Sequence, residues 1–166
     1  MQYEAYHFSF EDMEIGTIIP PKTYNALSGR KALMEECLES VRVENFSMYN
    51  SRLYCVFLAP SEESAKEWCR AINIDHWRAE HKEVVFFVYL VEIQEQPIWF
   101  DNDILIEFTL PRANKDAISI GYWNSGVTYV EPHTVRLLEY MTAKDVVIVD
   151  KTKWVLKPDG SIGKEK

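Results

Sequence analysis

The sequence predicts an α+β fold in which helices flank a split, mostly antiparallel β-sheet. Two segments with apolar residues at three- and four-residue steps occupy the first half of the chain, and β-branched and aromatic runs fill the second half. The predicted strands in the second half of the chain are joined by short connections, whereas the parallel strands of a doubly wound sheet need long crossovers. These late strands are therefore expected to pair antiparallel.

The chain begins with a predicted strand over residues 3–10, where aromatic and polar side chains alternate loosely. Gly16 and the pair Pro20-Pro21 then indicate a turn and irregular structure. The first helix is predicted over residues 29–46. Its apolar positions recur with helical spacing and are Leu33, Met34, Cys37, Leu38 and Val41.

A short buried strand is predicted over residues 53–58, a run of strand-forming residues that ends before Pro60. Ser61 then stands where the N-cap of a second helix belongs. Glu62 and Glu63 follow in the first turn, at the positive end of the helix dipole. The inner face of this helix is expected to carry Ala65, Trp68, Cys69 and Ile72.

The second half of the chain is predicted to consist of strands because its runs are rich in β-branched and aromatic residues. These strands cover residues 84–93, 98–100, 104–108, 118–123, 135–141 and 146–156. No repeat or low-complexity linker interrupts the chain, so residues 1–156 are expected to form a single domain. Residues 157–166 are polar, contain two glycines and are expected to form a flexible tail.

Composition excludes several classes of function. The chain has 18 Lys and Arg against 26 Asp and Glu, a net charge of −8, which disfavours sequence-independent binding to nucleic acid phosphates. No apolar run is long enough to cross a bilayer and the first residues lack a signal peptide, so we expect a cytoplasmic protein without a membrane partner. Cys37, Cys55 and Cys69 have no disulfide or zinc-site spacing.

Common catalytic and metal motifs are also missing from the sequence. The glycines form neither a dinucleotide fingerprint nor a P-loop, and there is no Gly-x-Ser-x-Gly or His-Glu-x-x-His pattern. Asp75, His76, Glu80 and His81 lie close together in sequence. However, the spacing of the two histidines places their rings about 140° apart on a helix. No metal is predicted.

Four local patterns occur in an informative order along the chain. They are Tyr6-His7-Phe8-Ser9 on the first strand, the strand-to-helix segment 56–69, the strand 84–92, and Glu139-Tyr140-Met141 near the end. This order resembles the ADP-ribosyltransferase superfamily, in particular the His-Tyr-Glu branch of diphtheria-toxin-like enzymes, poly(ADP-ribose) polymerases and RNA 2′-phosphotransferase-like proteins. The resemblance spans nearly the whole chain and implies an ADP-ribosyltransferase-like fold with NAD as the substrate.

The resemblance also implies roles for individual residues. His7 matches the residue that contacts the ribose of NAD, and Ser9 matches the one that contacts the nicotinamide carboxamide. Phe57 and Trp68 are eleven positions apart, as are the family's two aromatic residues that sandwich nicotinamide. Glu139 matches the catalytic glutamate by its place at the start of a late strand.

A carboxylate suits this reaction because breaking the nicotinamide–ribose bond creates an oxocarbenium-like centre. A fixed anion can hydrogen-bond the ribose 2′-hydroxyl and stabilise the positive charge on the sugar. Glu131 is the competing carboxylate if the late loop carries the site instead of the strand. Arg52 enters a predicted strand, where its planar guanidinium could bind the pyrophosphate of NAD bidentately.

Each candidate also has a plainer interpretation. His7 could be a hydrogen-bonded structural histidine, and Phe57 and Trp68 could be core residues. Glu139 could be an outward, solvated carboxylate at a sheet edge, and Arg52 could be a surface arginine paired with one of the many acidic residues.

Three functions therefore compete. The first is an NAD-dependent mono-ADP-ribosyltransferase with a macromolecular acceptor that the sequence does not identify, and the acidic charge favours a protein over a nucleic acid as that acceptor. The second is an inactive protein of the same fold that binds or inhibits a basic protein through its acidic surface. Phe8 and Phe57 favour this second function, because they stand where many family members have Gly and Tyr. The third, removal of phosphate from RNA ends, is disfavoured by the charge of −8.

Overall fold

The computed structural model describes residues 2–24, 29–80 and 82–164, without the side chains of residues 30 and 73–80. The elements in chain order are β1 Tyr3–Ser9, β2 Ile18–Ile19, β3 Lys22–Thr23, α1 Gly29–Asn45, β4 Tyr54–Leu58, α2 Glu62–Glu80, β5 Val84–Ile93, β6 Phe100–Asp101, a 3₁₀ helix Asn102–Thr109, α3 Lys115–Asn124, β7 Leu138–Thr142, β8 Val146–Leu156 and β9 Ile162–Lys164.

The strands form two sheets, which confirms the predicted α+β class. One sheet has the order β1-β5-β8-β2 with β9 added to β8, and the other has the order β3-β4-β7-β6. Every pairing between the described strands is antiparallel. The sheets are joined where Tyr6 on β1 and Ala59 after β4 exchange backbone hydrogen bonds of 2.9 and 2.7 Å.

Strand β5 is central to the larger sheet because it pairs with both β1 and β8. Its alternating side chains enter two different cores, as the two-residue period of a strand requires. Phe87, Tyr89 and Val91 pack in the core next to the smaller sheet. Phe86 and Val88 pack on the opposite face. The middle of this strand, residues 86–89, is thus buried on both faces, as its composition predicts.

Helix α2 covers the core on that opposite face of β5. Its N-cap is Ser61, whose Oγ accepts a hydrogen bond of 3.0 Å from the backbone N–H of Ser64. Ala65 and Cys69 are fully buried, four residues apart, against Phe86. Ile72, predicted on the same face, is largely exposed. No helix in residues 2–24, 29–80 and 82–164 has the length and hydropathy of a membrane span.

The structure corrects three of the predicted strands. Of residues 98–100 only Phe100 lies in a strand, the two-residue β6, and residues 104–108 lie in the 3₁₀ helix. Residues 118–123 lie in α3, whose N-cap Asn114 accepts a hydrogen bond from the backbone of Ala117. Ile118 and Tyr122 are buried four residues apart, as in a helix. Capping and packing here outweigh the β-propensity of the isoleucines and aromatics.

The segment predicted as a flexible tail carries a short strand. β9 extends β8 as an antiparallel hairpin, and its turn is closed by hydrogen bonds between Lys157 and Ser161 and between Gly160 and Lys157. Gly160 has a φ of +89°, a backbone conformation that favours glycine. This hairpin lies on the side of the larger sheet away from β1.

Candidate functional site

A cavity of about 640 Å³ opens where the two sheets meet, and its wall includes the bridging residues Tyr6 and Ala59. Volumes of roughly 300–1,000 Å³ are usual for ligand sites. Five of the six residues predicted for the site line this cavity, namely His7, Arg52, Phe57, Trp68 and Glu139. They come from β1, the loop before β4, β4 itself, α2 and β7.

His7 is held in one tautomer by its contact with β4. Its Nδ1 lies 3.0 Å from the carbonyl oxygen of Phe57. A carbonyl only accepts hydrogen bonds, so Nδ1 carries the proton and Nε2 of the neutral ring keeps a lone pair. Burial lowers the pKa of His7 below its ordinary value, partly opposed by the hydrogen bond to Phe57, and nearby Lys22 lowers it further. His7 is therefore a neutral hydrogen-bond acceptor at neutral pH.

This lowered pKa predicts that His7 destabilises the protein in mild acid. The unfolded histidine, with a pKa of about 6.5, takes up a proton more readily than the folded one. Acid thus favours the unfolded state as the pH falls from about 7 through the lowered pKa of the folded state. His7→Asn keeps an N–H group near Phe57 and does not titrate, so its free energy of unfolding should fall less. Urea denaturation at both ends of this pH range measures the difference, and equal losses would contradict the prediction.

Glu139 is buried and held by one of its two oxygens. Only 3% of the residue is exposed, so its interpretation as a solvated edge carboxylate is wrong. Oε1 accepts hydrogen bonds from the hydroxyl of Tyr122 at 2.7 Å and from Nδ2 of Asn102 at 3.2 Å. The same oxygen forms an ion pair with Nη1 of Arg52. These contacts from the described residues leave Oε2 available to a ligand.

Arg52 is also buried, with 7% exposed, so it is not the surface arginine of the plainer interpretation. Its Nε and Nη2 donate to the carboxylate of Glu35 at 2.9–3.1 Å, and its Nη1 donates to Tyr122 at 2.8 Å and to Glu139. Burial alone would lower the pKa of Arg52, but its interactions with Tyr122 and Glu35 raise it above the ordinary value. All three guanidinium nitrogens are thus engaged within the protein, which leaves little of Arg52 for a pyrophosphate.

The two aromatic candidates are fixed by different neighbours. Nε1 of Trp68 donates a hydrogen bond of 3.1 Å to the carbonyl of Leu138, the residue before Glu139. The Phe57 ring lies against the guanidinium of Arg52, with 5.1 Å between Cζ and the ring centroid. Among the described residues, Phe57 and Trp68 make no ring contact with each other. Both side chains line the cavity.

Two candidates lie away from the cavity wall. Ser9 is at the end of β1, where its Oγ accepts a hydrogen bond from the backbone N–H of Glu11 at 3.1 Å, and it is not among the lining residues. Glu131 is exposed and is likewise absent from the wall. Of the two carboxylates considered from the sequence, only Glu139 faces the cavity.

The residues that hold Glu139 and Arg52 were not predicted. Tyr122 lies in a run predicted as a strand, and Asn102 precedes another such run. Glu35 did carry a signal, because it lies three residues before the buried Leu38 and therefore on the inner face of α1. A carboxylate on such a face needs a buried partner, which the structure identifies as Arg52.

No metal centre is evident in the parts of the chain that the structure describes, since they contain no group of three or more His, Cys, Asp or Glu side chains suited to an ion. Of the cluster considered from the sequence, His81 and the side chains of Asp75, His76 and Glu80 lie outside the described residues.

Comparison with known proteins gives one family. A family model described as "Protein of unknown function (DUF2441)" matches residues 2–150. No curated protein matches the chain. The matched region includes every cavity residue named above.

Proposed function

Because the chain belongs to the DUF2441 family of proteins of unknown function, we infer its activity from the cavity and propose an NAD-dependent mono-ADP-ribosyltransferase with an ADP-ribosyltransferase-like fold. The single observation that carries this proposal is that His7, Phe57, Trp68 and Glu139, from four separate elements, line one cavity. The family resemblance assigns ribose, nicotinamide and catalytic roles to these four residues. Their convergence is what such roles require.

The reaction breaks the bond between nicotinamide and the ribose carbon C1′. The bonding electrons leave with nicotinamide, which becomes neutral, and positive charge develops on the sugar. Glu139 stabilises that charge, and its Oε2 accepts a hydrogen bond from the ribose 2′-hydroxyl. A nucleophile of the acceptor then bonds to C1′ and loses its proton.

The remaining cavity residues bind NAD. Nε2 of His7 accepts a hydrogen bond from a ribose hydroxyl, since Nδ1 is already committed to Phe57. Trp68 and Phe57 hold the nicotinamide ring between them. Lys31 supplies positive charge for the pyrophosphate in place of Arg52, because it lines the cavity and has no ion pair with another described residue.

The acceptor that we propose is a protein rather than a nucleic acid. The net charge of −8 repels nucleic acid phosphates and favours an acceptor of opposite charge. Cys37, Cys55 and Cys69 form no disulfide within the described parts of the chain, which supports the cytoplasm as the compartment. The direct test is release of nicotinamide when the purified protein is incubated with NAD and cell proteins.

Binding of NAD should quench the fluorescence of Trp68, because the proposed site stacks the indole on the nicotinamide ring. Replacement of Trp68 by Phe should remove most of the change in emission seen on titration with NAD. Trp154→Phe is the matched control, since Trp154 lies outside the cavity wall. If Trp68→Phe and the parent protein show the same change, nicotinamide does not stack on Trp68.

A second function is favoured by one feature of the cavity. Phe8 lines the wall where many members of the resembled family have Gly. An inactive protein that binds a basic partner through its acidic surface is consistent with that feature. NAD binding without any release of nicotinamide would support this function over the transferase.

A further inference from the structure

Glu35 is a buried carboxylate that the proposed reaction does not yet use. It lies on α1 with 7% of its surface exposed, and it lines the same cavity as Glu139. Its two oxygens receive hydrogen bonds from Nε of Arg52 at 3.1 and 3.0 Å, and Oε1 receives a third from Nη2 at 2.9 Å. Glu35 thus occupies one whole edge of the guanidinium.

This arrangement limits how Arg52 can hold Glu139. Arginine and carboxylate groups prefer a bidentate pair with two parallel hydrogen bonds. Because Glu35 takes the Nε and Nη2 edge, Glu139 cannot pair with that edge. It contacts Nη1 instead, which also donates to the hydroxyl of Tyr122. Glu139 is therefore bound through Oε1 alone, and Oε2 stays free.

Glu35 also determines the charge at the site. With both carboxylates ionised, Glu35, Arg52 and Glu139 together carry one net negative charge, whereas Arg52 and Glu139 alone would be neutral. A neutral pair would stabilise a positively charged sugar far less than a net anion, because electrostatic interactions are strong in a buried site.

We propose that Glu35 is a positioning residue that occupies one edge of Arg52 and thereby leaves Glu139 with a free oxygen and an uncompensated negative charge. This inference rests on the proposed transferase function. Glu35 itself need not touch the reacting atoms. Its effect passes through Arg52 and should therefore appear in the rate of the chemical step and not in the binding of NAD.

The test compares Glu35→Gln with Glu36→Gln, a neighbouring exposed glutamate on the same helix. Glu35→Gln keeps the size of the side chain and an oxygen acceptor, so it preserves a contact with Arg52 while removing the charge. We expect kcat for nicotinamide release to fall about 10–100-fold with KM for NAD within about twofold. Glu36→Gln should match the parent protein. An unchanged kcat in Glu35→Gln would overturn the inference.

A double variant separates charge from structural damage. In Glu35→Gln/Arg52→Gln the site regains one net negative charge on Glu139, so kcat should recover at least about threefold over Glu35→Gln alone. If Glu35 acts only through the packing of α1, the double variant should be slower than either single variant. Thermal denaturation with each variant shows whether it folds.

A conservative variant covers the case in which Glu35→Gln does not fold. Glu35→Asp keeps the charge on a shorter side chain, and its kcat should stay within about fivefold of the parent value. A fall of about 100-fold in this variant with unchanged KM would overturn the inference. The proposed function itself is contradicted by a different result, namely that the parent protein releases no nicotinamide at all.

Discussion

Replacing Glu139 with glutamine should reduce kcat for nicotinamide release about 10²–10³-fold, the usual loss when one preorganised electrostatic group is removed from a buried site. The amide keeps the shape of the side chain and an oxygen for the donors Tyr122 and Asn102. It loses the charge that acts only in the transition state, so KM for NAD should stay within about threefold. Steady-state release of nicotinamide measures both constants.

Glu131→Gln is the matched control for this substitution. Glu131 is exposed and outside the cavity wall, so its variant should have the kcat of the parent protein. If Glu131→Gln abolishes release and Glu139→Gln does not, the reaction is as proposed but the carboxylate is Glu131. If the parent protein and both variants release no nicotinamide, the transferase function is abandoned in favour of the inactive binding protein.

The elements predicted correctly are those for which the hydrophobic pattern and the length of the segment indicate the same type of secondary structure. Val84–Ile93 is long, has no Gly or Pro and became the central strand, while Ser61 capped the helix that it was expected to cap. The runs 104–108 and 118–123 contain similar residues, yet they became helical. Short apolar runs do not distinguish a strand from a buried helix, and here the caps Asp101 and Asn114 settled the outcome.

Only those site residues that belong to short local motifs could be predicted from the sequence. His7, Phe57, Trp68 and Glu139 were selected by their place in short patterns, and all four line the cavity. The network around Arg52 was not predictable in the same way. Its partners lie 17, 70 and 87 residues away along the chain, and no local pattern links them.

Arg52→Gln should lower the free energy of unfolding by about 3–5 kcal/mol, the usual cost of removing one partner from a buried ion pair. Glu35 and Glu139 would remain buried and would repel each other without the guanidinium between them. Arg136→Gln is the matched control, because Arg136 pairs with Asp101 at 3.0 Å but its side chain is 60% exposed. An exposed pair contributes roughly 0–1 kcal/mol. Urea denaturation near neutral pH measures both losses.

A second substitution tests whether repulsion is the cause. In Glu35→Gln/Arg52→Gln only Glu139 remains charged, and it keeps the hydroxyl of Tyr122 as a donor. The double variant should therefore be more stable than Arg52→Gln, with the two substitutions coupled by at least about 1 kcal/mol. Losses that simply add would mean that Arg52 stabilises the fold through packing on Phe57 and Tyr122 and not through its charge. The buried network would then be a packing feature of the cavity wall.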